Sequence, residues 1–77
     1  MSLIQDTLEY LVKSIISTPD DVSIETSEND GLTILTIVAP PELTGQLIGK
    51  QGKIIKALRI LLSVAHPEDK FTVEFKN

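Results

Sequence analysis

The feature that most constrains this chain is an interruption: Gly49-Lys50-Gln51-Gly52 stands between two stretches that each read as helix. A glycine in a helix interior costs about 1 kcal/mol relative to alanine, so two of them three residues apart break a helix rather than decorate it. Upstream, Pro41 suits the first turn of a short helix reaching about Gln46. Downstream, a second helix is expected from Lys53 to about Ala65. At 100° per residue Ile54, Leu58, Leu61 and Ala65 fall within one arc, with Ile55 and Leu62 on one flank and Ala57 and Val64 on the other. Lys53, Lys56 and Arg59 take the opposite arc, so this helix is expected to carry a buried stripe and a cationic one. The fold must place a helix–loop–helix near its centre and find cover for that apolar stripe.

The remaining elements follow from periodicity. Leu3, Ile4, Leu8, Leu11, Val12, Ile15 and Ile16 recur at helical spacing, with Asp6, Glu9 and Lys13 opposite them and Tyr10 on the surface. Ser2 and Gln5 have the spacing of a capping box at the start, and Thr18-Pro19-Asp20-Asp21 ends the helix. Val22, Ile24 and Thr26 alternate with polar residues as in a half-buried strand. Glu28-Asn29-Asp30-Gly31 is hairpin-turn chemistry, Asp-Gly tolerating the positive φ that a tight turn needs. Leu32 to Val38 is apolar at both parities: Leu32, Ile34 and Val38 on one side, Leu35 and Ile37 on the other. That pattern fits a central strand, or a strand whose outer side meets a partner. After Pro67-Glu68-Asp69, Phe71, Val73 and Phe75 alternate as a final strand. The order is α-β-β-α-α-β. It predicts an α+β class and one domain over residues 1–77, built as a three-stranded sheet with helices on one face.

Composition narrows the function. A chain of 77 residues buries only about 60% of its unfolded surface, which leaves little room for a deep cleft beside a core. There is no cysteine, and one histidine, His66, cannot build a metal site alone, so neither metal nor other cofactor is expected. No run approaches the ~18 apolar residues of a membrane span, and the first residues do not resemble a signal peptide, so a cytoplasmic location is expected. Asp20-Asp21 and Glu68-Asp69 pair carboxylates, but with no nucleophile or metal beside them they read as turn residues, and no enzyme is expected. His66 is expected to be an exposed residue at a helix end.

The net charge of −4 would argue against nucleic acid if it were evenly spread. It is not. From Leu43 to Pro67 there is no acid, and Lys50, Lys53, Lys56 and Arg59 give that segment a charge of +4. The rest of the chain carries all eleven acids and three bases. A basic patch on an acidic body attracts a polyanion to one face, although a solvated helix face with lysines would look the same.

The glycine loop adds geometry to that charge. Residues without Cβ let another backbone approach and permit turns closed to other residues. The loop opens a helix, whose first N–H groups and dipole favour a phosphate. Lys50 and Lys53 add charge, and Gln51 can donate or accept. Two glycines between helices also serve simply as a turn. The phosphate loop of nucleoside triphosphatases is excluded, because Gly45 and Gly49 are separated by three residues rather than four and Gln51, not Ser or Thr, follows Lys50. A dinucleotide loop is excluded because this one follows a helix rather than a strand.

Leu47-Ile48-Gly49-Lys50-Gln51-Gly52-Lys53-Ile54-Ile55 resembles the signature of KH domains, and the element order resembles their type II form. Length and layout are similar to the small bacterial KH-domain proteins of the KhpA type, a resemblance that covers nearly the whole chain as a single KH domain. It implies a groove for about four nucleotides of single-stranded RNA, with Gly49, Lys50, Gln51 and Gly52 clamping the backbone and Lys53, Lys56 and Arg59 alongside. Ile48 and Ile55 are candidates for its floor. With Tyr10, Phe71 and Phe75 the only aromatics, and both phenylalanines in a core pattern, stacking platforms are not expected and base preference should be slight. The resemblance further implies a non-catalytic role in post-transcriptional regulation, and pairing as a homodimer or with a larger multidomain KH-containing protein. A module that acts mainly by such protein pairing is the alternative. Ile60, whose helical angle sets it beside Lys53 and Lys56, is the residue most suggestive of a pairing surface, unless it is merely an isolated exposed isoleucine or is covered by the final strand.

Overall fold

The computed structural model describes residues 3–76. The helices are α1 (Leu3–Ile15), α2 (Pro41–Ile48) and α3 (Lys53–Ala65); the strands are β1 (Ser23–Asn29), β2 (Leu32–Val38) and β3 (Phe71–Lys76). Single 3-10 turns lie at Pro19–Asp21 and Lys50–Gly52. The order α-β-β-α-α-β is the one expected. Ser2, half of the expected capping box, lies outside the described residues, while Gln5 Nε2 donates to the Ile24 carbonyl at 2.9 Å and ties α1 to β1.

The sheet order is β1-β2-β3, antiparallel between β1 and β2 and parallel between β2 and β3. β2 is therefore the central strand, as its two-sided apolar pattern predicts. β1 runs further than the alternation of 22–26 implied. It pairs through Asn29↔Leu32, leaving Asp30 and Gly31 alone in the turn with φ of 52° and 82°. Two positive φ angles in a two-residue connection match the twist of the flanking strands.

Register sorts the two faces. Ile24, Ile37 and Phe75 lie abreast, as do Leu35 and Val73, and these side chains face the helices. Ile4, Leu8 and Val12 of α1, Leu43 and Leu47 of α2, and Ile55, Leu58 and Leu62 of α3 close over them in one core. The outer face carries Glu25, Thr36 and Glu74 in one row, with Ser27, Ile34 and Thr72 in another. Lys76 Nζ lies 3.9 Å from Glu25 Oε1 across it. Helices thus cover one face only.

Two expectations need correction. The buried face of α3 is centred on Ile55, Leu58 and Leu62 rather than on Ile54, Leu58, Leu61 and Ala65. The helix is rolled by roughly 60° from the position its apolar arc implied. Its apolar residues span about half the helix circumference, and a three-stranded sheet with α1 and α2 covers less than that. Ala57, Leu61, Val64 and Ala65 consequently face outward. His66 is not a plain exposed residue either. Its side chain is only 15% exposed. Nε2 lies 2.7 Å from Thr7 Oγ1, and Nδ1 lies 3.6 Å from Asp69 Oδ2. Thr7 Oγ1 also donates to the Leu3 carbonyl, which can only accept, so the hydroxyl has its lone pairs left for a proton on Nε2. The contact fastens the end of α3 to the start of α1, across a sequence distance that no local pattern reveals.

Candidate nucleic-acid interface

α2 ends where Gly49 N–H donates to the Gly45 carbonyl at 3.0 Å. Gly49 then takes φ 75° and ψ 177°. That region is open essentially to glycine alone. A Cβ there would also sit 2.7 Å from Ile54 Cγ1 and 3.0 Å from Ile54 Cβ. Gly49 is thus fixed twice, by its dihedrals and by the side chain that follows the loop into α3. Gln51 has φ 58° and ψ 25°, and Gly52 has φ 74° and ψ 17°, both left-handed. Gly52 differs from Gly49 in having room: a Cβ would find nothing nearer than Lys56 Cε at 3.9 Å. Three positive φ angles among four residues fold the chain back on itself, and Gly52 N–H donates to the Gly49 carbonyl at 3.2 Å. The result is a tight turn, exposed at Lys50 and Gln51 and half-buried at its two glycines, at the N-terminus of a thirteen-residue helix that no side chain caps, with Lys53 N–H donating to the Lys50 carbonyl.

The charges follow the same geometry. Lys50, Lys53, Lys56 and Arg59 are all exposed. The ion pairs among the described residues involve Lys13, His66 and Lys76, and none of these four. The proximity of Lys56 Cε to Gly52 shows that this side chain leans back over the loop. Four cations thus line one helix and its entry loop, and the helix N-terminus adds its own partial positive charge. A cationic turn that leads into a helix N-terminus without a side-chain cap favours an anion through the helix dipole and charge together. Among the described residues there is no cluster of His, Cys, Asp or Glu that could hold a metal ion. No described helix is long and apolar enough to cross a membrane.

Of the two residues expected to floor a groove, Ile48 is half-buried at the end of α2 and packs against the core. Ile55 belongs to the core itself, at 6% exposure, so it supports the loop from beneath more than it presents a surface. The left-handed Gln51 had no signal in the sequence, because glutamine carries no preference for that conformation. A second surface was also missed. Ala57, Ile60, Leu61 and Val64 form an exposed apolar stripe at i, i+3, i+4 and i+7 on α3, with Ile60 63%, Leu61 50% and Val64 74% exposed. Sequence reading singled out Ile60 but assigned its three companions to the buried arc, because periodicity does not say how far round a helix the core reaches.

The family model of the KhpA/KhpB KH domain matches residues 5–76. Among curated relatives, the RNA-binding protein KhpA of Thermotoga maritima is 35% identical over 66 residues, 86% of this chain and 88% of its own. The RNA-binding protein KhpA of Clostridium acetobutylicum is 38% identical over 58 residues, 75% of this chain and 77% of its own. That of Treponema pallidum is 34% identical over 61 residues, 79% and 76% respectively. With the glycine loop, the type II element order and the mixed sheet all in place, the chain belongs to the KhpA/KhpB family of KH domains.

Proposed function

We propose that this protein binds single-stranded RNA non-catalytically. In this reading Gly49, Lys50, Gln51 and Gly52 clamp the sugar–phosphate backbone, and Lys53, Lys56 and Arg59 guide it along α3. The observation that carries the reading is the loop itself: three positive φ angles in four residues, at a helix N-terminus that no side chain caps, surrounded by cations that no acid among the described residues neutralises. Relatives named as RNA-binding proteins point the same way. Ile48 is the floor residue, backed by Ile55. About four nucleotides fit such a groove. Without aromatic platforms, affinity rests on phosphate contacts and sequence preference is slight. A post-transcriptional role in the cytoplasm is consistent with such a binder. Replacing Lys50 and Gln51 together by Asp reverses the charge of the clamp without touching a core residue. RNA binding should disappear while the circular-dichroism spectrum stays native.

The exposed stripe on α3 favours a second, compatible role in pairing. Two copies meeting through Ala57, Ile60, Leu61 and Val64 would bury apolar surface that the monomer leaves in water, and would place two clamps on one particle. The second clamp then acts at a raised effective concentration, which suits a domain whose single groove is small. Ile60→Lys should convert a dimer in sedimentation velocity to a monomer. A wild-type chain that is already monomeric at high concentration would overturn self-pairing and leave the stripe to a larger KH-containing partner.

A further inference from the structure

The exposed stripe on α3 has a direction. Lys53 continues it toward the start of the helix, since Lys53, Ala57, Ile60 and Val64 fall at i, i+4, i+7 and i+11. The two ends of α3 are opposite in charge. Lys50, Lys53 and Lys56 stand at its N-terminal end, and Glu68 and Asp69 follow its C-terminal end in an exposed turn. Lys70 is drawn away to the sheet, where its carbonyl accepts from Thr33 N–H at 2.8 Å. A second copy that meets this face through the same face is related to the first by a twofold axis. Parallel helices would bring Lys53 against its own copy and set two positive helix ends side by side, both unfavourable. Antiparallel helices oppose the dipoles and carry the lysines of each copy toward Glu68 and Asp69 of the other. The apolar residues then match by size. About a centre between Ile60 and Leu61, Ala57 lies across from the second copy's Val64, and Ile60 across from its Leu61.

That axis reverses any path that follows α3. Lys53, Lys56 and Arg59 guide RNA along this helix in the reading above, so the strand held by one copy runs opposite in 5′-to-3′ sense to the strand held by the other. The separation of the two clamps follows from the helix. With 1.5 Å of rise per residue between Gly52 and the centre of the stripe, and helix axes 8–10 Å apart, the loops stand roughly 25–30 Å from each other.

We infer that the paired protein takes two single-stranded RNA segments of opposite polarity at once, as in a strand that doubles back on itself or the two arms that open from one end of a stem. This rests on the clamp and self-pairing readings and adds to them the class of RNA that the pair prefers. A strand that runs straight across the particle in one sense fits one clamp and meets the other backwards, so it gains nothing from the second site.

Two measurements test it. The chain has no cysteine, so introduced thiols report on orientation alone. Ala57→Cys and Val64→Cys, mixed in equal amounts under mild oxidation, should cross-link to each other, and neither should cross-link to itself. Self-cross-linking of Ala57→Cys would mean parallel helices and would overturn the inference. The RNA probe is a labelled oligouridine of two runs of about eight nucleotides, whose centres lie at least ~27 Å apart at about 3.4 Å per nucleotide. It is made with an ordinary junction, a 3′–3′ junction or a 5′–5′ junction, so charge and length are the same in all three. By fluorescence anisotropy, one of the inverted strands should bind wild type at least ~10-fold more tightly than the ordinary strand, because it alone reaches both clamps in the right sense. The Ile60→Lys monomer should bind all three alike. Equal affinity of a dimeric wild type for the three strands would sink this inference alone. If wild type binds none of them, or the Lys50→Asp/Gln51→Asp variant binds as wild type does, the clamp reading has failed. If wild type sediments as a monomer, the self-pairing reading has failed. The inference falls with either, and the two failures are told apart by which measurement reports them.

Discussion

Gly49 and Gly52 look equivalent in the sequence, yet the structure assigns them unequal tasks, and replacing each by alanine measures the difference. At Gly49, φ 75° with ψ 177° costs a residue with a Cβ about 1–3 kcal/mol. The Cβ would then meet Ile54 Cγ1 at 2.7 Å and Cδ1 at 3.0 Å. Ile54 is β-branched, stiff at χ1, and in the first turn of α3, so it does not swing aside freely. Overpacking of this kind adds another ~1–3 kcal/mol. At Gly52 the nearest atoms lie at 3.9 and 4.0 Å, ordinary contact, and only the left-handed penalty of about 1–2 kcal/mol remains. Gly49→Ala should therefore cost about 2 kcal/mol more than Gly52→Ala. A domain of this length holds roughly 4–12 kcal/mol in all, so the first change removes a large share and the second a modest one. Urea unfolding followed by far-ultraviolet circular dichroism separates them, with a matching difference in Tm of about 4–8 °C for each kcal/mol. Equal losses at the two positions, or a Gly49→Ala variant as stable as wild type, would refute the loop geometry on which the proposed clamp rests.

Two further changes probe strain and long-range fastening. Gln51→Gly removes the left-handed penalty of a side chain at φ 58° and should raise stability by up to about 1 kcal/mol after the added freedom of the unfolded chain is counted; a loss in urea unfolding would contradict the assigned backbone. His66→Ala breaks the link to Thr7 Oγ1 and should cost about 0.5–1.5 kcal/mol, while Thr7→Val in that background should add little, because the same hydrogen bond is already gone. Additive losses from the two substitutions would mean that they act independently.

How much was legible beforehand divides by the range of the interactions. Strictly local signals read well. Asp30-Gly31 marked its hairpin, Pro41 opened α2, and the two glycines at 49 and 52 marked the break before α3. The apolar run of 32–38 marked the central strand β2, although helices cover only the side that carries Leu35 and Ile37. What failed required knowing what packs where. The roll of α3 depends on how much of its circumference α1, α2 and three strands can cover, so Leu61 and Val64 were misassigned even though the helix itself was right. His66 found its partner 59 residues away, a distance over which periodicity is silent. Within the site, the charges and glycines were evident by type. The division of labour between Gly49 and Gly52, and the left-handed Gln51, emerged only with backbone angles and the position of Ile54.

The central claim, that the glycine loop is an RNA clamp, is tested most directly by fluorescence anisotropy of a labelled single-stranded RNA pool against wild type and the Lys50→Asp/Gln51→Asp variant across a salt series. With about three cations meeting phosphates, wild-type log affinity should fall against log salt with a slope near −2, and the variant should not bind although it remains folded. Undiminished binding by the folded variant, or no binding by wild type at low salt and high protein concentration, would contradict the claim.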